Sequence, residues 1–327
     1  MLRDFLIQAG RMTGRMTHYG FAVISFHEKL MMKEEKIKEG FTIMAESLTD
    51  TFTLKNGVEI PCIGFGTWQT PDGETAVKSV EAALACGYRH IDTAAAYGNE
   101  QSVGKAIRES GVKREELFVT SKLWNDSHGY EKTMKAFERT MEDLGLEYLD
   151  LYLIHWPRPA QFHDDWEEAN NGTWQAFEEL YRANKIRAIG VSNFMPHHVD
   201  ALLKKAKVAP MVNQINYHPG LMQKDVVDYC AKHGIFIEAY SPLGTGKMLG
   251  NPMLLEIAEQ YGKSVAQVCI RWVLQNGALP LPKSVTPARI EENTKVFDFE
   301  ISAGDMARID AMIDPDGLAN DPDTIDF

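Results

Sequence analysis

Cysteine is scarce in this sequence, and its four cysteines form no disulfide or metal-ligand pattern. Cys62, Cys86, Cys230 and Cys269 lie far apart, with no Cys-x-x-Cys pair and no histidine at ligand spacing. Such a distribution is typical of reduced core thiols in a cytosolic protein. We therefore expect no disulfide and no bound metal, and we interpret the adjacent pair His197-His198 as solvated or helix-capping side chains.

Long apolar runs and excess positive charge are also lacking. A membrane helix needs about 18 or more consecutive apolar residues, and no such run occurs. Lysine and arginine total 34 against 46 aspartates and glutamates, which leaves a net charge of −12 and disfavours a nucleic-acid partner. We expect a cytoplasmic monomer that binds neither nucleic acid nor membrane.

The glycine-rich fingerprints of nucleotide-binding folds are missing as well. Gly64-Phe65-Gly66 lacks the third glycine of a dinucleotide-binding turn, which disfavours a Rossmann domain. The segment 244–248 has Met248 where a phosphate loop needs serine or threonine, and we interpret it as an ordinary loop. The Tyr-x-x-x-Lys spacing of residues 181–185 falls at the end of a predicted helix, and we regard it as coincidence.

The first 43 residues differ from the rest of the chain, since they carry no steady apolar period. We predict that residues 1–43 are an extension, either disordered or a mis-annotated start. Translation would then begin at Met44, because Lys38-Glu39-Gly40 can be encoded by a purine-rich ribosome-binding sequence. Residues 44–327 are expected to form one domain.

From residue 51 onward the pattern is that of a hairpin followed by repeated strand–helix units. Residues 51–60 alternate around Asn56-Gly57, a strong two-residue turn signal. Short apolar runs then recur about every thirty residues between helical segments, which indicates a parallel sheet. We predict an α/β fold, a (β/α)8 TIM barrel with an N-terminal β-hairpin. Its eight strands are predicted at residues 63–66, 87–92, 117–122, 148–155, 186–192, 211–214, 235–240 and 279–282.

Polar or aromatic residues stand where these strands end. In a barrel the carboxyl ends of the strands meet on one face, where active sites of this fold lie. One such ending alone would be an ordinary loop residue, but eight in register favour a site. The residues at these ends are Thr67, Trp68, Asp92, Lys122, His155, Ser192, Asn193, Gln214, Tyr240 and Lys283.

Three of these strand-end residues and one residue of a following loop favour general-acid chemistry. Tyr97 follows Asp92 on the same loop, and Lys122 and His155 end the next two strands. The ammonium of Lys122 should lower the pKa of the tyrosine, whose ordinary value is about 10. Asp92 can serve as the counter-ion of the buried lysine, and His155 can hydrogen-bond a carbonyl oxygen.

These stretches resemble the aldo-keto reductase family over residues 51–327, and within it the bacterial 2,5-diketo-D-gluconate reductase type. The resemblance implies a catalytic tetrad of Asp92, Tyr97, Lys122 and His155. Asn184 replaces the glycine usual before residues 185–187, which asparagine tolerates because it adopts the left-handed conformation. The matching stretches are GYRHIDTAAAYGNE (87–100), SKLW (121–124), LDLYLIHWP (149–157), IGVSNF (189–194) and PKS (282–284).

The resemblance further implies NADPH bound across the barrel mouth. Tyr240 would stack on the nicotinamide, while two cations and two hydroxyls would grip the 2′-phosphate and favour NADPH over NADH. The implied cofactor residues are Gly66, Thr67, Asp92, Ser192, Asn193, Gln214, Tyr240, Ser241, Leu243, Lys283, Ser284, Thr286, Arg289, Glu292 and Asn293.

The expected substrate is a small aldehyde or ketone, such as a 2-oxoaldehyde or a diketo sugar acid, reduced to an alcohol. Trp68, Trp124 and Trp156, with His155, would line its site. Residues 158–172 are expected to add a substrate loop. The acidic stretch after Ile313 should add little apolar wall, leaving the site open. The alternative function is a non-catalytic NADPH sensor on the same barrel.

Overall fold

A hairpin precedes the main sheet. In the computed structural model, which describes residues 45–318 and 320–327, β1 (Thr51–Thr53) pairs antiparallel with β2 (Glu59–Pro61). The turn uses Gly57 at φ 83°, a left-handed conformation that glycine adopts without strain. Asn56 donates from Nδ2 to the carbonyl of Arg187 at 2.9 Å, next to the start of a barrel strand. The hairpin therefore covers the amino-terminal end of the barrel, as predicted.

Eight parallel strands form the barrel. Each strand pairs with the next in chain order, and its residues are almost all buried because helices cover the sheet outside and side chains fill it inside. The amides of Gly64 and Gly66 donate to the carbonyls of Pro280 and Pro282, both at 3.0 Å, and thereby join the first strand to the last. The strands are β3 (Phe65–Gly66), β4 (His90–Asp92), β5 (Phe118–Leu123), β6 (Leu149–Ile154), β7 (Ile186–Ser192), β8 (Val212–Asn216), β9 (Phe236–Tyr240) and β10 (Leu279–Leu281).

Amphipathic helices follow the strands and pack their apolar stripes on the barrel. Gly145 and Gly234 end two of them in the left-handed conformation, and Asn184 does the same with φ 56° after the fourth. The helices are α1 (Glu74–Ala85), α2 (Glu100–Glu109), α3 (Tyr130–Leu144), α4 (Trp166–Arg182), α5 (Pro196–Leu203), α6 (Lys224–His233), α7 (Pro252–Tyr261), α8 (Val265–Gln275), α9 (Pro287–Glu292) and α10 (Ala303–Asp310).

The barrel predicted from the sequence is confirmed, and each predicted strand overlaps the observed one, with ends that differ by at most three residues. All four cysteines are free thiols. Among the described helices, none is both long and apolar enough to span a bilayer. The predictions made for residues 1–43 and for a start at Met44 lie outside the described residues.

Candidate active site

Lys122 lies at the centre of the carboxyl-terminal face of the barrel. It is fully buried on β5, and its ammonium donates to Asp92 Oδ1 at 2.7 Å, to the Thr93 carbonyl at 2.9 Å and to Tyr97 Oη at 3.2 Å. An ammonium has three donors, and here each has an acceptor. Burial alone would lower the pKa of Lys122, but Asp92 and Tyr97 raise it above its ordinary value, so the lysine stays charged.

Tyr97 is placed to give a proton to the cleft. It sits on a short 3-10 turn, Ala95–Tyr97, directly after β4, which brings its hydroxyl to Lys122. Because Oη accepts from the ammonium, the tyrosine's own proton is free to be donated elsewhere. Tyr97 lines the cleft at the barrel mouth, which has a volume of about 1590 Å³.

The pKa of Tyr97 departs from the expectation drawn from the sequence. Burial raises the pKa above its ordinary value, and the charge and hydrogen bond of Lys122 offset only part of this rise, with Asp92 adding to it. Lys122 lowers the pKa of Tyr97 as expected from the sequence, but the partial burial of the tyrosine outweighs this effect. The tyrosine therefore remains a protonated acid at neutral pH.

His155 completes the tetrad as a neutral imidazole. It follows β6, and its ring lies edge-on to Tyr97 with the centroids 5.8 Å apart. Burial, Lys122 and His128 hold the pKa of His155 well below its ordinary value. A neutral ring keeps one N–H, which can donate to a carbonyl oxygen beside the Tyr97 hydroxyl.

The next strand ends carry a hydrogen-bonded polar wall. Ser192 donates from Oγ to the Gln214 carbonyl at 2.8 Å, and Asn193 donates from Nδ2 to the His155 carbonyl at 3.0 Å. Tyr240 donates its hydroxyl proton to Asn193 Oδ1 at 2.8 Å. All these side chains line the cleft. Their mutual bonds hold the amides and the Tyr240 ring in place at the cleft floor.

Backbone conformations of the rarely populated left-handed kind concentrate around this cleft. Gln69, Asn193, Ser241 and Thr245 have φ between 50° and 62°, and all four line it. Such conformations cost free energy outside glycine, and they persist where the surrounding structure imposes them. The loop after β9 that contains Thr245, interpreted from sequence as ordinary, is therefore part of the cleft wall.

Two cations lie toward the end of the cleft formed after β10. Lys283 donates from Nζ to the Gln69 carbonyl at 2.9 Å, and burial lowers the pKa of this lysine. Arg289 is exposed on α9. Neither cation pairs with a carboxylate within residues 45–318 and 320–327, whereas surface lysines such as Lys78, Lys224 and Lys295 each pair with a carboxylate four residues away. The two are thus available to an anionic ligand.

Most of the predicted cofactor residues line the same cleft. Thr67 is fully buried, and its hydroxyl donates to the Asp92 carbonyl at 2.9 Å, so it supports the loop from behind. Thr286 precedes α9 and is exposed, and it does not line the cleft. The predicted residues that line the cleft are Gly66, Asp92, Ser192, Asn193, Gln214, Tyr240, Ser241, Leu243, Lys283, Ser284, Arg289, Glu292 and Asn293.

The end of the cleft that is expected to hold substrate is more aromatic than the sequence predicted. Trp124 and Trp156 line it, with Trp68 at 45% exposure nearer the rim. Phe327 stacks on Trp124 at 6.0 Å between centroids and meets Trp156 edge-on at 5.5 Å. The expectation that the stretch after Ile313 adds little apolar wall was therefore wrong, because its last residue folds back over the tryptophans.

The segment 158–172 holds this C-terminal stretch in place instead of lining the cleft. His163 contacts the Ile325 carbonyl from Nε2 at 2.9 Å, and Arg158 donates to the Asp323 carbonyl at 3.2 Å. The amide of Ala160 donates to the Phe327 carbonyl at 3.3 Å. The segment expected to be a substrate loop therefore supports the C-terminal stretch that carries Phe327.

His197, His198 and Asp323 bring possible metal-ligand atoms within 4.8 Å of one another. However, His198 Nδ1 accepts the amide proton of Met195 at 3.1 Å, which leaves the neutral ring's proton on Nε2. That nitrogen lies 3.1 Å from Asp323 Oδ1, and His197 Nε2 contacts the same oxygen at 3.0 Å. His198 therefore caps α5 and, together with His197, contacts Asp323 of the C-terminal stretch.

Glu238 is a buried acid that the sequence analysis did not single out. It is fully buried on β9, and burial, with the nearby charge of Asp92, raises its pKa to about 8. In the sequence, Glu238 is a single glutamate within a strand, and nothing in that pattern indicates that its carboxyl is buried or that its pKa is raised. Its raised pKa means that the folded protein holds a proton on Glu238 that the unfolded chain releases above pH 4.5.

Replacing Glu238 with glutamine should change how stability depends on pH. The favourable contribution of a raised carboxyl pKa is fully present below pH 4.5 and is lost as pH rises toward 8. The Glu238→Gln variant lacks this loss, so its unfolding free energy should gain on the wild type by up to about 1.4 kcal/mol per pH unit between those values. Urea denaturation at pH 5, 6, 7 and 8 measures this, and a constant difference would contradict it.

Comparison with known proteins places this barrel and its site in a family. The profile of the Aldo/keto reductase family matches residues 62–314. The chain is 52% identical to glyoxal reductase of Bacillus subtilis, over 87% of this chain and 100% of that protein. It is 49% identical to 9,11-endoperoxide prostaglandin H2 reductase of Trypanosoma cruzi, over 83% and 94%. The chain therefore belongs to the aldo/keto reductase family and is an oxidoreductase.

A solved structure resembles the whole barrel. A mutant of Gox0644 in complex with NADPH superposes with a TM-score of 0.79 at 39% identity, covering 85% of this chain and 99% of that one. The family and the fold inferred from the sequence motifs are thus confirmed. The diketo-gluconate reductase subtype is not named among these relatives.

Proposed function

We propose that this protein reduces small uncharged 2-oxoaldehydes and related aldehydes to alcohols with NADPH. The observation that carries this proposal is the Tyr97 hydroxyl, which accepts from Lys122 and faces the cleft with its own proton free. NADPH supplies the hydride. The protein supplies the proton and the orientation of the carbonyl, which general-acid catalysis requires.

The residues of the cleft fit the cofactor. Ser192, Asn193 and Gln214 offer amide and hydroxyl groups for a carboxamide, and Tyr240 offers a ring for the nicotinamide. Lys283 and Arg289, both without a carboxylate partner in the described part of the chain, suit a 2′-phosphate.

Proton transfer follows from the tetrad geometry. The substrate oxygen would take hydrogen bonds from the Tyr97 hydroxyl and from the neutral ring of His155. As negative charge develops on that oxygen, the tyrosine gives up its proton, and the ammonium of Lys122 stabilises the phenolate left behind. Asp92 keeps the lysine charged and in position.

The substrate end favours a small uncharged molecule. Trp124, Trp156 and Phe327 wall it. The cations that line the cleft, Lys263, Lys283 and Arg289, lie in the segments after β9 and β10 and not in the segments that carry these rings. This supports an aldehyde over a diketo sugar acid. The name of the glyoxal reductase relative points to the same class.

The test is NADPH oxidation by the purified protein with glyoxal, methylglyoxal, a diketo sugar acid and an aromatic aldehyde. We expect the highest kcat/KM with the two 2-oxoaldehydes. Tight NADPH binding without turnover on any substrate would instead support the sensor function. We also propose that the protein is a monomer located in the cytoplasm. Sedimentation of the purified chain tests its oligomeric state.

Arg289→Ala should weaken NADPH binding about tenfold and leave NADH binding unchanged. The variant loses a charge-assisted bond to the 2′-phosphate, which NADH lacks, and such bonds contribute about 1.5 kcal/mol or more. Fluorescence titration with both cofactors measures this. Arg139→Ala is the matched control, because that arginine is 84% exposed on α3 and bonds only Asp143. An equal loss of affinity for NADPH and NADH would show that Arg289 does not bind the 2′-phosphate.

A further inference from the structure

A buried carboxyl, that of Glu238, lies close to the tetrad and pairs with no lysine or arginine of the described residues. Glu238 Oε2 accepts from Gln214 Nε2 at 3.0 Å, while Oε1 has no hydrogen-bond partner among the described residues and lies 3.8 Å from His90 Nε2. Lys122 already pairs with Asp92, so no buried cation requires a second carboxylate. A buried acid with an unpartnered oxygen costs stability, and its presence therefore calls for another explanation.

Gln214 offers that explanation. Its Nε2 donates to Asp92 Oδ2 at 2.9 Å as well as to Glu238 Oε2. Asp92 is paired with Lys122 and can only accept, so the amide must turn its nitrogen and not its oxygen toward it. Both amide hydrogens are then used. Both hydrogen bonds of the Gln214 side chain within residues 45–318 and 320–327 leave from Nε2, so Oε1 receives no donor from them, and the side chain lines the cleft.

We propose that Glu238 is a positioning residue, which acts through Gln214 to present the amide oxygen of that glutamine to the N–H of the nicotinamide carboxamide. The terminal torsion of a glutamine is broad, and one hydrogen bond to Asp92 leaves it free to tilt. The second acceptor removes that freedom before the cofactor binds. This inference rests on the proposed use of NADPH.

The hydrogen bond from Gln214 to Glu238 can form in both protonation states of Glu238. Burial raises its pKa to about 8, so the acid is neutral at physiological pH, and its proton sits on Oε1 because Oε2 accepts from Gln214. The other titratable groups facing it are Asp92, Lys122 and His90, and burial lowers the pKa of His90 to about 3. Oε2 remains an acceptor whether the acid is ionised or neutral, so the position of Gln214 does not switch with pH.

The test is calorimetric titration of NADPH into the wild type, E238M and E238Q, each also in the background of Gln214→Ala. We expect E238M to weaken NADPH binding about five- to tenfold, the effect of one lost orienting hydrogen bond. E238Q should stay within about twofold, because its amide oxygen accepts the same bond. In the Gln214→Ala background E238M should add less than about twofold. In steady-state assays, E238M should change the KM for NADPH by a larger factor than it changes kcat.

Several results would overturn the proposal. E238M that binds NADPH as the wild type does, or that weakens binding equally in both backgrounds, would mean that Glu238 does not act through Gln214. Thermal unfolding of E238M controls for folding, and E238L, a second apolar variant, is held to the same outcomes if E238M does not fold. A wild type that binds no NADPH would overturn the proposed function together with this inference, whereas an unchanged E238M overturns this inference alone.

Discussion

Tyr97→Phe should lower kcat for aldehyde reduction by a factor of about 10² to 10⁴, the range that a positioned general acid contributes. The variant keeps the ring and loses only the hydroxyl that Lys122 contacts at 3.2 Å. Because the substrate oxygen would then receive no proton from the protein as charge develops on it, the barrier to reduction rises. Single-turnover reduction of glyoxal with bound NADPH measures this step directly.

Cofactor binding separates this effect from a general loss of structure. The dissociation constant for NADPH should change less than about twofold in Tyr97→Phe, since the hydroxyl is not among the groups proposed to hold the cofactor. Tyr88→Phe is the matched control, because the Tyr88 hydroxyl is buried without a hydrogen-bond partner and its removal should leave kcat unchanged. A Tyr97→Phe enzyme with kcat within tenfold of the wild type would assign the acid to another group.

The barrel and the tetrad could be predicted because both follow from local pattern and strand order. Apolar runs about thirty residues apart predict parallel strands, and the carboxyl ends of such strands must share one face. Asp92, Lys122 and His155 end successive strands, so their proximity follows from topology alone, as the 2.7 Å pair of Lys122 and Asp92 illustrates.

Other parts of the site depend on contacts that no local pattern encodes. Phe327 is bonded to Asn125, 202 residues away, and its aromatic wall arises from that long-range packing. The left-handed Asn193 and Ser241 have ordinary sequence contexts, because the surrounding bonds and not their own preference impose the conformation. Burial likewise sets the pKa of Tyr97 and Glu238, and the extent of burial is a property of the assembled barrel.

Lys122→Met should lower the free energy of unfolding by about 3 to 5 kcal/mol at pH 7, because breaking a buried ion pair from one side leaves an uncompensated charge. Asp92 is 4% exposed, and without the lysine it keeps only the hydrogen bond from Gln214 among its side-chain donors in the described residues. Urea denaturation measures the loss. Turnover should fall as well, since the phenolate of Tyr97 would lose the ammonium that stabilises it.

The double variant Asp92→Asn/Lys122→Met distinguishes the cost of a stranded charge from the loss of packing. Removing both charges leaves no ion to be buried unpaired, so the double variant should regain most of the stability that Lys122→Met loses while remaining inactive. The same methionine occupies position 122 in both proteins, so packing around it is matched. A double variant no more stable than Lys122→Met would show that the lysine stabilises the barrel through its contacts and not through its pairing with Asp92.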